Sequence, residues 1–200
     1  MQKICDDAGV ANRPHIKTHK SPLLAKLQIE AGAKGITCQK LGEAEVMARA
    51  GIDDILISYN LVGEEKMARL GALLTKTNVT VAADNPVVIA GLTAAATAAG
   101  RDVPVVIECD TGRKRAGVET PAEVIALASQ IKGTPGLSFA GLLMYPTETG
   151  WADAQRSILH GAGHRIREYR HLMQRVEGKH LEALFEPPAA PAEAAPAAPA

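Results

Sequence analysis

The segment Arg13-Pro14-His15-Ile16-Lys17-Thr18-His19-Lys20 packs two histidines, two lysines and an arginine into eight residues. On a strand, alternation would put His15 and Lys17 on one face and Ile16 on the other. His19 continues that parity if the chain stays extended. An inward-pointing lysine is costly to hold unless it has a use. With Arg13 and Lys20 as cationic neighbours, Lys17 is a candidate amine nucleophile. The same residue types also suit a solvated basic loop that binds an anion, and both readings stay open on composition alone.

A second group is Glu108-Cys109-Asp110-Thr111-Gly112-Arg113-Lys114-Arg115-Ala116-Gly117-Val118. It leaves an apolar run and turns at Gly112. Arg113 and Arg115 could bring a guanidinium to a phenolate or carboxylate oxygen, or the whole turn could simply face water. Tyr145 closes the run Leu142-Leu143-Met144 and could stack on a ring, transfer a proton or just pack. His160 and His164 stand four apart, a spacing that can hold a metal. No Glu or Cys completes that set, so the pair is read as a solvated face and no metal ligand is assigned. The basic run from His164 to Arg175 is read the same way.

These residues need elements to position them. Short apolar or β-branched runs predict strands at Asn12–Lys17, Gly35–Gln39, Asp54–Tyr59, Val79–Ala83, Val103–Cys109 and Ser138–Tyr145. Helices are expected between them. Ser21-Pro22 opens one that runs to Gly32, with an N-cap and a proline in the first turn. Leu41–Ala50 and Gly63–Thr75 follow. Asn85-Pro86 opens the next, ending at Gly100. Thr120-Pro121 opens another, with Glu123 placed for a capping box. Ala152–Gly178 reads as a long helix. Alternating βα units imply a parallel sheet. An open doubly wound sheet would fit, but no G-x-G-x-x-G follows the first strand. Polar residues gather at strand C-terminal ends (Lys17, Gln39, Lys40, Tyr59, Asn60, Asp84, Asp110, Tyr145), where (β/α)8 barrels keep their sites. The expected fold is therefore an α/β TIM-type barrel, incomplete, with about six βα units in residues 1–178. Residues 179–200 read as an Ala/Pro-rich disordered tail.

Composition narrows the partners. Lys plus Arg equals Asp plus Glu, 22 each, so no global field attracts nucleic acid or anionic membrane. Aromatic residues are 3% of the chain, too few for a base-stacking surface. No apolar run reaches membrane-span length, and the N-terminus is too acidic for a signal peptide. Cys5, Cys38 and Cys109 form no C-x-x-C pair and read as reduced thiols, so a cytoplasmic setting is expected.

The string Arg13 to Ser21 resembles the cofactor-lysine motif of the D-threonine aldolase and D-serine dehydratase family. Those enzymes carry pyridoxal phosphate on an alanine-racemase-type barrel. The resemblance continues through Cys38 to Glu45, Gly51 to Leu56, Ala82 to Asn85, Glu108 to Val118 and Tyr145-Pro146, and spans roughly residues 1–150. It implies that Lys17 forms the Schiff base with pyridoxal phosphate, flanked by His15 and His19. It implies that Arg115 lies near the cofactor's phenolic oxygen and Tyr145 close to the cofactor. The implied activity is lyase cleavage of D-3-hydroxy amino acids to glycine and an aldehyde. A D-serine dehydratase, an amino acid racemase, a non-catalytic cofactor carrier and an inactive remnant are the alternatives. Family members also carry a glycine-rich phosphate segment and a β-domain with a His and Cys metal site. Neither is found in this sequence, so a truncated member that binds the cofactor weakly is expected. The implied partner is a small D-amino acid, with a homodimer implied by analogy.

Overall fold

Three of the expected helix starts share one device. In the computed structural model, which describes residues 1–110 and 114–145, Ser21 accepts a hydrogen bond from the Leu24 N–H at the head of α2 (Pro22–Glu30). Asn85 accepts from the Val87 and Val88 N–H groups at the head of α5 (Pro86–Ala99). Thr120 and Glu123 form a reciprocal capping box on α6 (Pro121–Gly133). Each cap satisfies backbone donors that the first turn leaves unpaired, and proline follows where its missing N–H costs nothing. The remaining helices are α1 (Gln2–Asp7), α3 (Leu41–Arg49) and α4 (Glu64–Leu74). Thr120→Ala removes the side-chain half of its box, the Oγ1 bonds with the Glu123 N–H and carboxylate, and leaves the residue-120 N–H on Glu123. We expect it to lower stability by about 1 kcal/mol, read as a lower urea midpoint with an unchanged denaturant slope.

Between the helices run β1 (Ile36–Cys38), β2 (Asp54–Ile57), β3 (Asn78–Ala83), β4 (Val103–Cys109) and β5 (Leu137–Met144). All neighbours pair in parallel, in the order β1-β2-β3-β4-β5. Sequential order without reversal is the barrel pattern; a doubly wound sheet reverses at a switch point. Ile36, Cys38, Ile55, Ile57, Val81, Val105 and Ile107 are fully buried in one cluster with Leu70, Leu74, Ile89, Leu92 and Ile131 of the helices. Of the alternate strand residues, Leu56, Thr80, Pro104 and Val106 are only partly covered, while Thr37, Ala82 and Glu108 are buried. Helices α2 to α6 share that buried cluster with the strands and so cover one face of the sheet. The β4–β5 register slips between Val105 and Val106, skipping Ala140. Such a bulge adds local twist.

The expected strand at Asn12–Lys17 does not form. Lys34 and Thr37 donate backbone bonds to Asn12 and Pro14, and His15 makes one isolated bridge to Thr37. The chain then tightens into a 3-10 turn at Ile16–Thr18. The cause is local: the His15 ring accepts the Lys17 N–H, capping the turn and diverting a donor from the ladder. The expected division of faces nevertheless survives, since Ile16 is fully buried while His15 and Lys17 are half-exposed. No helix among the described residues is long and apolar enough to cross a membrane. The expected helix at Ala152–Gly178, with His160 and His164, lies outside the described residues, as do Arg113 and the tail.

Candidate active site

The C-terminal ends of the strands gather the polar side chains. Lys17 Nζ stands 5.5 Å from the centroid of the Tyr145 ring. Arg115 Cζ stands 5.1 Å from the same centroid. Lys17 leaves the 3-10 turn, Tyr145 follows β5, and Arg115 sits in the β4–α6 connection. Residues 17, 115 and 145 thus meet although more than a hundred positions separate the first from the last. Both cations are attracted by the electron-rich ring. Among the described residues no carboxylate pairs with Lys17. Arg115 meets Glu108 at 3.4 Å.

Glu108 is the buried charge of this group, its side chain only 4% exposed. Burial pushes its carboxyl up from the ordinary carboxylate range; Arg115 opposes that, and Asp84 and Asp110 add to it. Its Oε2 is buried without a hydrogen-bond partner. Sequence reasoning treated Glu108 only as the start of a motif.

His15 is held at both nitrogens. Nδ1 accepts the Lys17 N–H at 3.3 Å, and Nε2 lies 3.4 Å from Ser58 Oγ. Ser58 in turn donates to the Cys38 carbonyl at 3.3 Å. An accepting Nδ1 puts the proton on Nε2, so the ring donates to Ser58. Burial first, then the Lys17 charge, lower its pKa, which keeps the imidazole neutral near pH 7. His19 turns toward α2, where Nδ1 accepts the Ser21 N–H at 3.0 Å. Its Nε2 is buried and unpartnered, so the same logic makes it a spare donor. The structure therefore brings Lys17, Arg115 and Tyr145 together, sets His15 behind the Lys17 backbone, and directs one nitrogen of His19 into a helix cap.

The two cations expected to crowd Lys17 are both neutralised elsewhere. Arg13 makes a bidentate pair with Asp54, 2.8 Å on each side. Lys20 pairs with Glu43 at 3.5 Å, and Glu43 also accepts the Gln39 N–H at 2.8 Å. Lys20 takes a left-handed φ of 50°, a conformation uncommon outside glycine, on the turn that swings its side chain to Glu43. Asp84 is named by the sequence only as one of the polar strand ends, with no role assigned. Its carboxylate accepts N–H bonds from Asn60, Asn85 and Gly117. The signal was an Asp at a strand end followed directly by a helix cap, Asn85-Pro86.

A parallel, sequentially ordered sheet with a lysine at its C-terminal mouth defines a class, the lysine-bearing (β/α) barrel. The family described as alanine racemase, N-terminal domain, matches residues 1–185. The chain belongs to that family. It is 43% identical over 145 residues to a D-threonine aldolase from Arthrobacter, covering 72% of this chain and 38% of that protein. It is 39% identical to a 3-hydroxy-D-aspartate aldolase from Paracoccus denitrificans, covering 68% of this chain and 36% of the other. Among solved structures, D-threonine aldolase from Filomicrobium marinum superposes with a TM-score of 0.69 at 39% identity, over 71% of this chain and 38% of that one. The chain thus spans under two-fifths of the length of these relatives.

Proposed function

We propose that this chain is the cofactor-lysine part of a pyridoxal-phosphate lyase that cleaves D-3-hydroxy amino acids to glycine and an aldehyde. The observation that carries the reading is the convergence of the Lys17 amine and the Arg115 guanidinium on Tyr145. A primary amine and a second cation beside an aromatic ring fit an anionic, ring-shaped aldehyde. When bound, the cofactor supplies an electron sink for breaking bonds at the substrate's α-carbon. Everything else falls to the chain. Lys17 would hold the cofactor covalently, and Arg115 would face its phenolic oxygen. Tyr145 would lie beside the cofactor and shield it from water. His15, neutral and fixed by Ser58, would set the direction of the Lys17 backbone. His19, with Nε2–H uncommitted, would be the nearby donor. In this reading the unit occupies residues 1–178, and residues 179–200 are a tail.

The substrate class rests on the aldolases among the relatives. A second reading, loss of water instead of carbon–carbon cleavage, is favoured by D-threo-3-hydroxyaspartate dehydratase from Delftia. It is 31% identical to this chain with a TM-score of 0.63. One assay separates the readings. A full-length version of the protein, supplied with pyridoxal phosphate, is incubated with D-threonine, and separately with D-alanine. Glycine and acetaldehyde are expected from the first. A 2-oxo acid and ammonia would instead mark a dehydratase, and L-alanine from the second incubation a racemase.

A further inference from the structure

The position of Arg115 has to be explained, because no regular element holds it. It lies in the connection between β4 and α6, two residues before Gly117. The base of that connection is closed by two backbone bonds, from Asp110 N–H to Val118 and from Val118 N–H to Glu108, 2.8 and 2.9 Å. Gly117 passes so close over the end of β4 that a Cβ there would stand 2.5 Å from the Asp110 nitrogen and 2.7 Å from the Cys109 carbonyl carbon. Its φ of 103° also favours glycine. The Gly117 N–H donates at 2.9 Å to Asp84 Oδ2, across from β4 to the end of β3.

We propose that Asp84 is a positioning residue whose carboxylate fixes the Arg115 loop against Tyr145 by gathering N–H bonds from Asn60, Asn85 and Gly117. The inference rests on the proposed function for its catalytic meaning, but its geometry stands apart from it. Asp84 Oδ1 takes two of the donors, Asn60 Nδ2 and Asn85 Nδ2, each at 2.7 Å. Asn85 is itself locked, since its oxygen caps α5. Asn60 is turned so that its amide faces Asp84, and its own oxygen is left buried without a partner. Three donors from three connections thus converge on two acceptor oxygens. A carboxyl group has an acceptor oxygen for each side of this arrangement, whereas an amide offers one oxygen and an opposing N–H₂.

Asp84→Asn is therefore selective. The new amide's oxygen stays with the two asparagine amides, and its N–H₂ faces the Gly117 N–H. That single tie is lost, and the Arg115 loop is released while α5 keeps its cap. Hydrogen exchange and NMR of the chain read this directly. Exchange at the Gly117 amide is expected to rise by about tenfold or more in Asp84→Asn, with the Val87 and Val88 amides unchanged. The ring-current shift of the Arg115 side chain from Tyr145 is expected to collapse. Asn60→Ala, which leaves the Oδ2 bond in place, should change neither. Titration with pyridoxal phosphate adds the functional arm. Asp84→Asn weakens binding in the parent but adds no further loss in an Arg115→Ala background, because it acts through Arg115. Unchanged Gly117 exchange, a retained ring-current shift, or additive losses in the double variant would each overturn the proposal. Should the parent chain take up no pyridoxal phosphate, the proposed function loses its support, while exchange and ring-current shifts still decide whether Asp84 holds the loop.

Discussion

Lys17→Ala should leave a folded protein that no longer takes up pyridoxal phosphate covalently. The side chain is half-exposed, and its amine stands over the Tyr145 ring. A cation–π contact of that kind contributes about 0.5–1 kcal/mol at a partly exposed site, so the thermal midpoint should barely move. The turn itself survives, because His15 bonds the Lys17 backbone and not its amine. Chemistry responds differently. Without the amine no covalent bond to the cofactor aldehyde can form, and lyase turnover should drop by roughly 10³-fold or more, about 4 kcal/mol of barrier. Borohydride treatment of the cofactor-loaded parent, followed by peptide mass spectrometry, should find the label on Lys17. Lys20→Ala is the control from the same segment. Lys20 leans on Glu43, and its loss should leave labelling intact. Labelling that persists in Lys17→Ala, or that moves to Lys20, would sink the assignment of Lys17 as the cofactor lysine.

That expectation came from the sequence, and what else was legible there follows a physical divide. Signals that act within four residues were readable. Ser21-Pro22, Asn85-Pro86 and Thr120-Pro121 cap helices where their chemistry requires it. The alternation of βα units was readable because β1 to β4 bury their helix-facing side chains almost completely. The failures lie where a side chain chooses between partners. His15 could stand on a strand or turn its ring back on the Lys17 amide, and periodicity does not distinguish the two. Arg13 and Lys20 are close to Lys17 in sequence, yet opposite charges far along the chain, Asp54 and Glu43, draw them away. Asp84 looked like one more polar strand end. Its importance depends on Asn60 and Gly117, 24 and 33 residues away. No local pattern encodes such a meeting, because it is set by strand order and register.

The Arg13–Asp54 pair depends on a residue that carries no side chain. Gly35 is buried at the entry to β1, and a Cβ built on it would stand 2.5 Å from the Asp54 carbonyl oxygen and 2.8 Å from the Asp54 carboxyl carbon, and would also overlap the Arg13 guanidinium. Gly35→Ala is therefore expected to destabilise the chain by about 2–3 kcal/mol, the range for forcing an extra methyl into a packed site. A chemical melt should show the midpoint falling with the slope unchanged. The origin of the cost can be separated. An arginine tip can swing aside, but the Asp54 carbonyl belongs to the strand that pairs with β1 at Ile36↔Ile55. Removing the arginine as well, in Gly35→Ala with Arg13→Ala, should therefore recover only a small part of the loss. Full recovery would mean that the clash is with the guanidinium alone and that the backbone has room to spare. The consequence reaches the site, because Arg13 stands two residues before His15 and its Nη1 also reaches toward the Ile36 and Asp54 carbonyls at 3.5 and 3.4 Å. These contacts tie the lysine-bearing segment to the first two strands where no ladder does so. Gly35→Ala should thus lower cofactor labelling at Lys17 even under conditions where the variant remains folded.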